Sequence, residues 1–209
     1  MELIKQLPNE IITLIEDFHL NRVTIGQSGA EVFHLTSANK PSLYLKISTI
    51  SPFLDLEIES RVLDWLKNRL PIPQQQLYIT DKNREYLLIT EIPGINIADA
   101  VSKYDTELLV RLLAKGLKTI HSAPITHCPF FHTIDIEIEI VKNRIAHNLV
   151  DESSFDDERQ GRKPIDLFDE LMKNRPVSQE LVFTHGDYCL PNRHYLKLKM
   201  DDNLNGFLR

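Results

Sequence analysis

The spacing of apolar residues changes near Ile95, from short β-prone runs broken by turns to mainly helical periodicity. Ahead of that point, Ile11, Ile12, Leu14, Ile15 and Phe18 follow Pro8 at roughly helical spacing and predict an opening helix over 8–18. From Val23, V-T-I and A-E-V-F-H-L are β-prone runs on either side of the small-residue turn G-Q-S-G, and S-L-Y-L-K-I-S reads as a third antiparallel strand. Leu56, Val62, Leu63, Trp65, Leu66 and Leu70 lie among charges and predict a helix over 54–70, stopped by Pro71 and Pro73. Two further strands, 77–79 and 86–92, flank the polar turn D-K-N-R-E, and Pro93-Gly94 ends the second. Residues 1–94 thus read as a small five-stranded antiparallel lobe with one inserted helix.

Downstream, the pattern predicts helices over 107–121, 134–149 and 164–174, with the acidic stretch 151–161 as a loop or short helix between the last two. A short strand over 180–184 and a final hairpin from 195–199 and 204–208, around M-D-D-N, complete the reading. The fold class expected is α+β: a bilobal arrangement in which 95–209 form a mainly helical second lobe.

Composition narrows this picture. With 42% hydrophobic residues in 209, the chain can bury a substantial core, and it holds no low-complexity tract. A net charge of -6 disfavours a nucleic-acid partner held on a basic face and suits a cationic ligand. The start M-E-L-I-K-Q-L-P-N-E lacks the apolar stretch of a signal peptide and no segment reads as a membrane span, so a cytoplasmic protein without membrane attachment is expected. Cys128 and Cys189 have no metal-ligand spacing and read as bystander thiols.

The chemistry concentrates in H-G-D-Y-C-L-P-N, His185 to Asn192, directly after the β-prone V-F-T. An aspartate followed five residues later by an amide matches the plan of a kinase catalytic loop. Asp187 would orient a substrate hydroxyl and accept its proton, Asn192 would ligate Mg²⁺, and His185 would brace the loop. Phosphoryl transfer also calls for a loop over the phosphates and a strand lysine held by a glutamate. Gly26, Gln27, Ser28 and Gly29 can form the first, although such a turn is commonly a plain hairpin. Lys46 and Glu59 can form the second; separately each reads as a solvated surface charge, and their order along the chain raises the odds.

These segments resemble the aminoglycoside phosphotransferases, particularly those acting on the 3′-hydroxyl of kanamycin-type drugs. The similarity runs from Ile25 to Asn192 through I-G-Q-S-G-A-E-V, L-Y-L-K-I, E-I-E-S-R-V-L-D-W-L, L-P-I-P, L-L-I-T-E, I-H-S, C-P-F and L-V-F-T-H-G-D. The resemblance implies a protein-kinase-like fold, ATP with Mg²⁺, and transfer of the γ-phosphoryl group to an aminoglycoside, as in antibiotic resistance. It implies a phosphate-contacting Lys46 partnered by Glu59, a catalytic Asp187, a metal-binding Asn192, and adenine against the linker Thr90, Glu91 and Ile92. Asp151, Glu152, Asp156, Asp157 and Glu158 then become candidates for holding the drug's ammonium groups, against the plainer reading of a solvated acidic loop.

The sequence departs from the family pattern at its end. Family members carry N-G-F-I-D-L-G-R, whose aspartate is the second Mg²⁺ ligand; here N-G-F-L-R ends the sequence. The expectation is a helical lobe incomplete at its C-terminus, weakened catalysis, and self-association through exposed apolar surface. Two alternatives stand beside the drug kinase: a kinase of the same fold for another small alcohol such as choline or homoserine, and an inactive remnant that at most binds nucleotide.

Overall fold

A computed structural model describes residues 4–24, 29–50, 56–96, 101–186, 188 and 197–198. Strands β1 (His19–Val23), β2 (Glu31–Thr36), β3 (Leu43–Thr49), β4 (Gln75–Asp81) and β5 (Arg84–Thr90) form one antiparallel sheet in the order β1-β2-β3-β5-β4. Consecutive strands neighbour one another except at β3, where the long passage through helix α2 (Leu56–Leu66) carries the chain past β5 to the far edge. From there β4 returns into β5 through the two-residue turn Lys82-Asn83, with Lys82 at φ 56°.

Alternation along the strands gives the sheet two apolar faces. On one, Leu45, Ile47, Tyr86 and Leu88 pack with Phe33 and Leu35 against Leu7, Ile11, Ile15 and Phe18, the last four contributed by helix α1 (Asn9–Ile15) and its flanks. On the other, Leu87 and Ile89 pack against Leu56 and Leu63 of α2. Ile11, Leu35, Leu45, Leu87 and Leu88 are the largest fully buried side chains, each worth about 1.5–3 kcal/mol of transfer free energy.

The expected strands and helices occur with shifted ends. The first strand is His19–Val23 rather than a run starting at Val23, because it is an edge strand fixed by its ladder to β2, from His19↔Thr36 to Val23↔Val32, and not by an apolar pattern of its own. Helix α2 stops at Leu66, before Leu70, since Asn68 adopts φ 65° and breaks the helical path ahead of Pro71. Gln75 and Gln76 join β4 through main-chain pairing, with an irregularity between Gln75 and Leu77, and β5 ends at Thr90 rather than Ile92.

Beyond the sheet, helix α3 (Thr106–His121) is capped by Asp105, whose carboxylate accepts the Leu108 N–H at 3.1 Å. Helix α4 (Ile134–Ala146) starts at the Thr133 cap, and α5 (Pro164–Lys173) carries Pro164 in its first turn. The described residues 180–184 do not form a strand, although L-V-F-T is β-prone. Two short strands, β6 (Ile95–Asn96) and β7 (Lys197–Leu198), pair antiparallel, so this part of the expected final hairpin joins the segment after β5. The other arm, 204–208, lies outside the described residues. By contacts the chain forms two compact units, Met1–Ala123 with Thr184–Arg209, and Pro124–Phe183. None of the described helices is long and apolar enough to cross a membrane.

Candidate active site

Lys46 lies inside β3 on the face that carries α2, opposite Leu87 of β5. Only 8% of the residue is exposed, and its Nζ meets the Glu59 carboxylate at 2.7 Å. An ammonium with its stem buried this deeply would be costly alone, and the charged hydrogen bond offsets much of that cost. Glu59 is placed by the first turn of α2, where an acidic side chain also opposes the positive end of the helix. The strand-plus-helix order read from the sequence therefore becomes a contact.

Next to this pair is a carboxylate that sequence reading missed. Glu85 of β5 is 5% exposed; its Oε2 accepts the Leu56 N–H at 3.1 Å and its Oε1 accepts the Tyr78 hydroxyl at 2.9 Å. The signal was available: in R-E-Y-L-L-I-T, Glu85 shares the period-2 face of Leu87 and Ile89, which bury themselves under α2.

The same sheet face extends to Tyr44, two residues before Lys46, and to its cross-strand partner His34. Their rings stack with centroids 4.7 Å apart, and His34 Nε2 meets the Glu91 carboxylate at 3.0 Å. Burial, then the nearby Glu91 charge, push the Tyr44 hydroxyl above its ordinary pKa. In the linker, the Thr90 N–H donates to the Gln74 carbonyl at 2.9 Å and the Glu91 N–H to the Ser42 carbonyl at 2.9 Å. The Ile92 N–H forms no hydrogen bond with the described residues.

Of the expected phosphate loop, Gly29 is described and exposed; Gly26, Gln27 and Ser28 lie outside the described residues, as do Asp187, Cys189 and Asn192. The flanks of the catalytic motif are described. Gly186 takes φ 80°, and Tyr188 donates its hydroxyl to the Leu113 carbonyl of α3 at 2.7 Å while meeting the His185 ring edge-on at 5.8 Å. Burial raises the Tyr188 pKa despite an opposing backbone hydrogen bond at Leu117. Cys128 is a free, half-buried thiol pointing at the Phe130 carbonyl.

In the acidic stretch, Asp151 accepts the Ser153 N–H and hydroxyl at 3.0 and 2.6 Å, which hold its pKa below the ordinary carboxylate value. Glu152 pairs with Lys163 at 3.1 Å and Asp156 with Arg159. Asp157 and Glu158 are exposed and make no ion pair or side-chain hydrogen bond among the described residues. Those residues bring together no group of three or more His, Cys, Asp or Glu side chains able to hold a metal ion.

A lysine on the third strand held by a glutamate from the following helix, within a five-stranded antiparallel sheet, is the arrangement of kinase-like phosphotransferases. The model of the phosphotransferase enzyme family matches residues 19–207, and the chain belongs to that family. It is 30% identical over 202 residues to an aminoglycoside 3′-phosphotransferase of Niallia circulans, covering 96% of this chain and 75% of the relative. An Escherichia coli aminoglycoside 3′-phosphotransferase is 34% identical over 174 residues, covering 82% of this chain and 64% of the relative. Among solved structures, an aminoglycoside 3′-phosphotransferase of type VIII superposes with TM-score 0.68 at 24% identity, over 91% of this chain and 68% of that one. An aminoglycoside phosphotransferase of Streptomyces rimosus, solved with ADP and streptomycin, superposes with TM-score 0.65 at 21% identity, over 87% and 67%. The α+β kinase-like fold is thereby established.

Proposed function

We propose that this protein is an ATP-dependent kinase that transfers the γ-phosphoryl group to the 3′-hydroxyl of an aminoglycoside. The observation that carries the reading is the part-buried Lys46–Glu59 pair, because a fixed ammonium beside the α2 face of the sheet is what a triphosphate needs. Bound there, ATP supplies the phosphoryl group. Lys46 neutralises phosphate charge, Glu59 keeps its ammonium in place, and Gly26, Gln27, Ser28 and Gly29 are the residues to cover the phosphates. The Thr90 and Glu91 N–H groups are already engaged, so the Ile92 N–H is the donor for the adenine edge, with Tyr44 on the neighbouring strand presenting its ring to the base.

Asp187 orients the substrate hydroxyl and accepts its proton as the new oxygen–phosphorus bond forms and the β–γ bridge breaks; Asn192 is a ligand for Mg²⁺. On this reading 1–94 hold the nucleotide, 95–209 supply catalysis and substrate contacts, and the protein works in the cytoplasm, where ATP is plentiful. Asp151, Glu152 and Asp156 are engaged locally, so Asp157 and Glu158 are the acids with most capacity left for a polycationic drug. The chain spans 75% and 64% of the length of the two curated relatives above.

The test is ADP release with kanamycin and MgATP. Kanamycin-dependent turnover, lowered on the order of 100-fold or more by Lys46→Met, is expected. No turnover with any of a panel of aminoglycosides overturns the substrate, and turnover with choline or homoserine replaces it.

A further inference from the structure

The Lys46–Glu59 pair is set by α2, and α2 is itself set by a group that phosphoryl transfer does not call for. Glu85 is a carboxylate 5% exposed on the interior strand β5, a costly placement unless its oxygens are satisfied. One oxygen accepts the N–H of Leu56, the first residue of α2, at 3.1 Å; the other accepts the Tyr78 hydroxyl of β4 at 2.9 Å. Leu56 is 2% exposed and Glu59 stands three residues further on, in the same first turn. Lys46 is opposite Leu87, which lies two residues from Glu85 along β5, on the same face. The contacts close a ring: Glu85 on β5 to the start of α2, Glu59 on α2 to Lys46 on β3, and β3 back to β5 through the ladder.

We infer that Glu85 is a positioning residue for the nucleotide site, pinning the first turn of α2 to β5 so that the Glu59 carboxylate is held against the Lys46 ammonium. The inference rests on the reading of Lys46 as the phosphate-contacting lysine. A negative group at this helix end is favoured by the helix dipole, and a hydrogen bond to it is of the stronger, charge-assisted kind. Losing it frees the turn that carries Glu59, and Lys46 then samples positions away from the phosphates.

The experiment is calorimetric titration of the full chain with MgATP, on folded protein well below its unfolding temperature. Glu85→Ala is expected to weaken MgATP binding on the order of tenfold, with Glu85→Gln, which retains an acceptor for the Leu56 N–H, recovering most of it. If Glu85 acts through Glu59, the two effects are not additive: Glu85→Ala adds little in a Glu59→Gln background. Should the alanine variant not fold, Glu85→Asp, which withdraws the carboxylate by one methylene, carries the same cycle. A variant that unfolds earlier but binds MgATP as tightly as the unaltered protein, or effects that simply add, overturns the inference. Unaltered binding in Lys46→Met overturns the nucleotide-site reading and this inference with it; weakened binding there beside unaltered Glu85→Ala overturns this inference alone.

Discussion

Gly186 joins His185 to Asp187 with φ 80°, a backbone conformation that L side chains enter only at a cost. Among the described residues a Cβ added there meets nothing within 4 Å, so the cost of a substitution is conformational. Gly186→Ala should therefore lower stability by about 1–2 kcal/mol in urea unfolding and, given the role proposed for Asp187, the next residue, lower turnover further. Tyr44 gives a residue-scale prediction with a sign. Burial and Glu91 raise its pKa, so the folded state favours the neutral phenol. Its contribution to stability is fully present below the unfolded tyrosine pKa and is lost as pH rises through the folded one. Ultraviolet difference titration should find Tyr44 and Tyr188 ionising above the ordinary range, with Glu91→Gln removing the smaller part of the shift at Tyr44. At this scale the sequence already named Lys46 and Glu59 as a candidate pair, from residue type and order, and the two are in contact. The burial of Glu85 was legible from its place on the face of Leu87 and Ile89, but its partners, the Leu56 N–H and the Tyr78 hydroxyl, are brought within reach only by packing.

At the scale of elements, α3 shows how much local chemistry decides. Thr106–His121 begins where Asp105 accepts the Leu108 N–H, carries Glu107 in its first turn, and ends with Lys118 and His121 in its last. Asp105→Ala should cost about 1 kcal/mol, read as a lower unfolding midpoint in urea, while Asp105→Asn should cost much less because the amide oxygen still accepts. That helix was legible from periodicity alone, as were α2 and the β2, β3 and β5 strands, whose apolar runs are their own signal. Elements defined by pairing were not legible in this way. β1 is an edge strand of H-L-N-R-V held by its ladder to β2, and L-V-F-T at 181–184 has the composition of a strand yet does not form one.

At the scale of the whole molecule, the groups with shifted acidity divide between the two compact units. Asp151 and Glu170, held low by Ser153 and by Arg162 respectively, both belong to Pro124–Phe183, whereas Tyr44 and Tyr188, raised by burial, belong to the unit containing the sheet. A depressed carboxyl stabilises the fold above its unfolded pKa and loses that contribution as pH falls through the folded value. Acidification below the ordinary carboxylate range should therefore loosen 124–183, seen as faster amide hydrogen exchange in α5 and near Ser153. Added salt should shrink the effect, because both carboxyls are exposed and their interactions screened.

What the sequence by itself determined are the quantities local chemistry controls: helix starts, buried strands, the order of lysine, glutamate and aspartate motifs, and so the family. What only the tertiary structure decided are the quantities set by pairing: the β1-β2-β3-β5-β4 order, the 2.7 Å contact between Lys46 and Glu59, and the buried Glu85 beneath α2. The reason is geometric. Periodicity says which face of an element is apolar, but which main-chain donor meets a buried carboxylate depends on how two elements far apart in sequence are packed together.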